Sequence, residues 1–141
     1  SDSKFYFEDP GVRNAIIGFR QVEYSHMMEN VLYNELCARG YSVDVGLVEI
    51  WEKNEEGKIV HKRIEVDYVI NRGSQRIYVQ SAYSMPDEEK RDQEQRPLIK
   101  INDSFRKIII SGEHKGKFYN EEGVLRIGVF EFLLDRECLN N

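Results

Sequence analysis

The sequence predicts an α/β domain, a mixed β-sheet flanked by helices. Three observations predict it. Ile64–Tyr83 reads as two alternating strands joined by a tight turn. Gln21–Arg39 carries an apolar stripe at helical spacing. The order of elements is a helix, a meander of three strands, a helix and a strand. A chain of 141 residues suits one domain with one sizeable core.

Lys4–Phe7 reads as a short aromatic strand. Asp9-Pro10-Gly11 breaks it and starts a helix, with Asp9 as cap and Pro10 in the first turn. Val12–Ile17 forms that short helix and Gly18 ends it. Gln21–Arg39 is the longest helix, with Met28, Val31, Leu32, Leu36 and Cys37 as its buried stripe. Gly40 stops it. Tyr41–Trp51 alternates as a strand, with Val43, Val45, Leu47 and Glu49 on one side and Asp44 and Val48 on the other. Glu52–Gly57 is a charged turn, and Lys58–Arg63 returns antiparallel.

In Ile64–Ile70, the residues Ile64, Val66, Tyr68 and Ile70 alternate with Glu65, Asp67 and Val69. Asn71-Arg72-Gly73-Ser74 supplies the turn, with Gly73 free to take positive φ. In the second strand Ile77, Val79, Ser81 and Tyr83 point one way, and Tyr78, Gln80 and Ala82 the other. Pro86–Ile99 is a charged helix, acids first and bases later, ended or kinked by Pro97. Ser104–Ser111 is a strand, Glu113–Gly123 a polar turn region, Val124–Ile127 a short strand, and Val129–Leu134 a terminal helix or strand.

Composition narrows the function. The chain is 40% hydrophobic and 32% charged, with a net charge of −5. That acidity argues against sequence-independent coating of DNA, which depends on neutralising phosphates, and leaves room for a local basic groove. Cys37 and Cys138 lack CxxC or His partners at ligand spacing, which disfavours zinc and suits a reducing compartment. No apolar run approaches the ~20 residues of a membrane span, and no charged-then-apolar leader opens the chain. A cytoplasmic protein is the expectation. Neither GxGxxG nor GxxxxGK[ST] is present, so the chain carries no phosphate cradle of its own.

The chemistry concentrates in the central hairpin. Asp67 and Gln80 stand among apolar residues, where a carboxylate is costly unless paired, hydrated or metal-bound. Glu29 on the long helix, Asp67 on one strand and Gln80 on the next make an oxygen ligand set suited to Mg²⁺ or Mn²⁺. Such a metal can activate water and neutralise a phosphodiester transition state.

Asp67 followed by Gln80-Ser81-Ala82-Tyr83 resembles a degenerate PD-(D/E)XK motif of the restriction-endonuclease-like fold. The whole chain resembles, more narrowly, the nuclease-like C-terminal domain of a family of prokaryotic AAA-type ATPases. The residues that carry this are Phe5-Tyr6-Phe7-Glu8-Asp9, Arg13-Asn14-Ala15, Gly18-Phe19-Arg20-Gln21, Glu29-Asn30 with Tyr33-Asn34, Arg39-Gly40-Tyr41, Glu65-Val66-Asp67-Tyr68 and Val79-Gln80-Ser81-Ala82-Tyr83. Leu98-Ile99-Lys100-Ile101-Asn102-Asp103 and Phe132-Leu133-Leu134 extend it. The resemblance implies that an ATP-binding domain precedes this segment, so that ATP belongs to that domain, and that the partners are the chain's own ATPase domain and DNA. It also implies catalytic roles for Glu29, Asp67, Gln80 and Tyr83, and metal ligation by Glu29, Asp67 and Gln80. Gln80 and Ala82 replace the motif's acid and lysine, and Lys100 is the first candidate to supply a lysine from elsewhere.

Each of these residues also has a plain structural role open to it. Glu29 can cap a loop or pair with an arginine. Glu65 can pair across the strand, Gln80 can satisfy backbone groups and Tyr83 can pack in the core. The charged helix can be a solvated face of i,i+4 pairs, or Arg91, Arg96 and Lys100 can line a phosphate-binding rim. His26 lies one turn before Glu29 and can approach the same site. Lys115 and Lys117 can bind an anion or nothing. Two classes follow: a metal-dependent, DNA-directed nuclease module, or an inactive domain that keeps the fold for docking.

Overall fold

The computed structural model describes residues 9–140. The elements are α1 (Pro10–Ala38), β1 (Ser42–Lys53), β2 (Ile59–Arg72), β3 (Gln75–Ala82), α2 (Glu88–Lys100), β4 (Arg106–Ser111), β5 (Lys117–Tyr119), β6 (Leu125–Gly128) and α3 (Val129–Leu134). The protein is α/β, and its described residues form a six-stranded mixed sheet in the order β1-β2-β3-β4-β6-β5. β1, β2 and β3 pair antiparallel, β3–β4 and β4–β6 pair parallel, and β5 pairs antiparallel with β6. The short strand expected at Lys4–Phe7 lies outside the described residues.

Two apolar layers sandwich the sheet. Met28, Leu32 and Leu36 of α1 and Phe132 of α3 pack on Tyr68, Ile70, Ile77, Val79, Ile108 and Ile110. On the other face Leu98 of α2 packs with Ile64, Val66, Val69, Tyr78, Ala82 and Ile109. Every β3 and β4 residue in these sets obeys strand alternation. No helix among the described residues is long and apolar enough to cross a membrane.

α1 is one helix of 29 residues, not two. Gly18 keeps a negative φ and has open space around its α-carbon, so the helix runs through it at a local cost of about 1 kcal/mol. The end is as expected. Gly40 has φ 88, its N–H donates to the Cys37 carbonyl, and the Tyr41 N–H donates to the Leu36 carbonyl, which is a Schellman stop with Leu36 and Tyr41 both buried. Val31 and Cys37 are exposed, so the buried stripe is narrower than the spacing suggested. Val45 and Leu47 are exposed as well.

Pro97 lies inside α2 without ending it. It falls in the last turn, so its missing N–H removes a single helical bond, the one to the Gln93 carbonyl. Asp87 caps this helix by accepting from the Lys90 N–H. The polar region after β4 contains the short strand β5, and Val129–Leu134 is a helix.

β2 departs from simple alternation, and this positions the site. Asp44 pairs with Val69 and Gly46 with Val66. Val45 alone therefore stands opposite both Asp67 and Tyr68, which is a β-bulge in β2. Ile64 and Val66 face α2 whereas Tyr68 and Ile70 face α1, so the four do not share one face as the period of two predicts. Gly46 is required at this crossing. A Cβ there would press on the Val66 side chain and come within 2.9 Å of Val69 Cγ2.

Candidate functional site

The bulge coincides with the point where β2 and β3 part. Their paired register ends at Tyr68 and Val79. Beyond it, side chains replace the ladder. The Asp67 N–H donates to Gln80 Oε1 at 2.8 Å. Asp67 Oδ2 accepts from the Ser81 N–H at 2.7 Å and from the Ser81 hydroxyl at 3.4 Å. A cleft of about 440 Å³ opens at this fork. It is lined by Gln21, His26 and Glu29 of α1, by Asp67, Ser81 and Tyr83, and by Lys90 and Glu94 of α2.

The cleft is rich in carboxylates. Asp67 is pushed above the usual aspartate range, first by burial and further by the charges of Glu94 and Glu29, against the stabilising hydrogen bond from Ser81. Glu94 is ion-paired with Lys90 at 3.0 Å, one helical turn away. Glu29 is exposed, and its backbone carbonyl accepts from the Tyr68 hydroxyl at 3.0 Å. Burial, then the charges of Glu29 and Asp67, raises the Tyr68 phenol to about 12, so it stays a donor. Tyr83 stacks on Tyr24, centroids 5.4 Å apart, and forms one wall.

The structure thus brings Glu29, Asp67 and Tyr83 together, with His26 beside them. It places Gln80 elsewhere. Gln80 is buried and faces α2, where its Nε2 donates to the Glu94 carbonyl at 3.1 Å. Its amide spans the fork from the Asp67 backbone to α2, which is the backbone-satisfying role and not a place in the cleft lining. The bulge explains this. It turns Asp67 toward α1, while Gln80 keeps the α2 face that alternation gives it. Among the described residues no three His, Cys, Asp or Glu side chains converge to hold a metal ion. A hard cation at the fork would have Asp67 and a glutamate as ligands and water for the rest, a set Mg²⁺ accepts.

The basic residues distribute differently from the expected rim. Lys100 ends α2 and lies in a separate groove with Asp44, Arg63, Arg76 and Asp103. Ten residues of helix, about 15 Å, separate it from Lys90. Lys90, not Lys100, is the lysine at the fork. Arg91 and Arg96 differ by about 140° around the helix and share no face. Glu65 is exposed opposite Leu47, with no ion pair among the described residues. Lys115 and Lys117 are exposed.

Sequence reasoning missed Lys90 and Glu94 because they sit in a stretch that reads as solvated throughout. The available signal was their i,i+4 spacing just after the Asp87 cap, which puts both on one side of the first turns.

No protein-family profile matches the chain. The chain is 31% identical over 137 residues to an uncharacterised protein of Haemophilus influenzae, an alignment covering 95% of this chain and 29% of that protein. The chain therefore spans less than a third of the length of this relative.

Proposed function

We propose that this is a restriction-endonuclease-like domain whose cleft at the β2–β3 fork binds Mg²⁺ or Mn²⁺ and presents it to a nucleic-acid phosphodiester. One observation carries the reading: Asp67 is disfavoured as an anion by burial and by Glu94 and Glu29, yet is held in place by Ser81 and set in an open cleft. A cation relieves that surplus charge. When bound, it supplies Lewis-acid stabilisation and a more acidic water.

The chain's own residues have separate tasks. Asp67 and Glu29 are the ligands. Ser81 fixes the Asp67 carboxylate. Gln80 is a positioning residue that holds the bulge through the Asp67 N–H. Lys90 brings to the cleft the ammonium that Ala82 lacks at the motif position, and Tyr83 walls the cleft. The domain acts as a nuclease-like effector of a cytoplasmic prokaryotic ATPase, with the ATP-binding domain elsewhere in the full-length protein. This larger context rests on the sequence resemblance.

A second reading, an inactive docking domain, is favoured by the outer half of α1. Val12, Phe19, Val22 and Met27 are exposed there, with Phe19 at 65%.

Calorimetric titration with Mn²⁺ of wild type, Asp67→Ala and Lys90→Met, with cleavage of single- and double-stranded DNA on the same samples, tests the proposal. Expected are binding lost in Asp67→Ala, and binding kept but cleavage lost in Lys90→Met. Binding without cleavage in wild type leaves an accessory domain. No binding at millimolar metal overturns the cation site and favours docking.

A further inference from the structure

A row of side chains crosses the sheet beneath α2. Gln80, Ile109, Arg126 and Phe118 are successive partners on β3, β4, β6 and β5. Ile109 is packed and Gln80 is satisfied at both ends of its amide. Arg126 is not satisfied. Its Nε is buried without a partner, and among the described residues no hydrogen bond or ion pair reaches its guanidinium. Its described contact is a cation–π one, 5.2 Å from the Phe118 centroid.

His114 meets the same ring edge-on at 5.2 Å, and its Nε2 is also buried without a partner. α2 is held over this end of the sheet by the Asn120 amide, which donates to Gln95 Oε1 at 2.5 Å. Arg91 lies one turn before Gln95, and its charge acts on Arg126. Arg91 has no ion pair among the described residues. Glu131 is the acid facing His114, but its carboxylate accepts from the Gly116 N–H at 2.9 Å and makes no pair with Arg126.

A half-buried guanidinium with an orphaned donor, under the repulsion of a second arginine, is costly without a counter-ion. We propose that Arg91, Arg126 and His114 form a second site, distinct from the Asp67 cleft, for a phosphate-class oxyanion. The planar forks of two arginines match phosphate oxygens bidentately, and a proton on the unpartnered His114 Nε2 would add a donor. Phe118 is exposed and Arg126 only part-buried, whereas Arg126 Nε and His114 Nε2 are themselves buried, so a ligand must enter past the Phe118 ring. The phosphate belongs either to a nucleic-acid backbone or to a small phosphorylated molecule.

NMR of the arginine Nε–Hε signals decides. The protein is titrated with inorganic phosphate, then thymidine monophosphate, then a single-stranded oligothymidylate, each against sodium chloride of matched ionic strength. Wild type, Arg126→Gln, Arg91→Gln and Asp67→Ala are compared. Phosphate should move the Arg126 signal saturably, and Arg91→Gln should weaken binding by about tenfold. Arg126→Gln should do the same, read on the Arg91 signal. Asp67→Ala should bind as wild type does, which separates this site from the cation cleft. Tighter binding of the oligonucleotide than of the monophosphate, lost in the same variants, identifies the backbone, and equal binding identifies a small ligand. No saturable change beyond the chloride control, or undiminished affinity in folded Arg126→Gln, overturns the site. If Arg126→Gln does not fold, undiminished affinity in Arg91→Gln does so.

Discussion

Gln80→Glu restores the acid of the E-x-K motif with almost no change of shape, and the structure gives a definite cost for it. Gln80 Oε1 accepts from the Asp67 N–H and Nε2 donates to the Glu94 carbonyl. A carboxylate keeps the first bond and turns the second into an oxygen–oxygen repulsion. The lost bond is worth about 1 kcal/mol, and a buried acceptor facing another acceptor adds about 2 kcal/mol of uncompensated desolvation. The nearby charges of Asp67 and Glu94 act in the same direction. A destabilisation of about 3 kcal/mol at neutral pH follows, or roughly 1–2 M in urea midpoint. Far-UV circular dichroism is the probe to use, because the single tryptophan, Trp51, is 70% exposed.

The pH dependence has a fixed sign. When protonated, the introduced carboxyl donates to the Glu94 carbonyl as the amide does. Its folded pKa therefore lies above the unfolded value. The variant should match wild type below about pH 4, the unfolded glutamate range, and fall behind as pH rises through the folded pKa. Wild-type stability of Gln80→Glu at neutral pH without divalent ions would refute the positioning role of Gln80.

Two further outcomes come from the same bulge. Asp67→Asn keeps an oxygen to accept from Ser81 and removes a carboxylate whose pKa is raised by burial, Glu94 and Glu29. Because that pKa is raised, the Asp67 contribution is fully present below the unfolded aspartate pKa and is lost as pH rises through the folded one. Urea unfolding at acid and neutral pH should show the variant gaining on wild type as pH climbs, and a gain at acid pH instead would contradict the burial assigned here. Gly46→Ala forces a Cβ against Val66 and Val69 with no positive φ to confuse the cause. A loss of about 2 kcal/mol or more in thermal unfolding is expected, and a neutral result would show that the β1–β2 crossing yields.

Much of the fold is local in origin, and local features were legible. The Schellman stop needs only Gly40 with Leu36 and Tyr41 around it. The hairpin needs Gly73, which has φ 61. The start of α2, expected near Pro86, is set by the Asp87 cap. The alternation of β3 assigned Ile77 and Val79 to one layer and Tyr78 and Ala82 to the other. Glycine misled at Gly18, where context overrode propensity. It sits in a helix whose packing and length outweigh one weak residue.

The candidate site was legible as residue types and not as an arrangement. The sequence by itself determined that acids and an amide interrupt an apolar hairpin, and that conflict between burial and charge marked Asp67 correctly as a residue in need of partners. Which partners it has was decided in three dimensions. One extra residue in β2 turns Asp67 toward α1, so Gln80 cannot join it and holds its backbone instead. The parting of β2 and β3 lets Lys90 and Glu94 reach the cleft from the other side of the sheet. Neither event has a sequence period, because a bulge depends on how a neighbouring strand pairs and a fork on what packs above it. Arg126 shows the same limit. Its strand position was foreseeable, but its isolation depends on every neighbour that does not reach it.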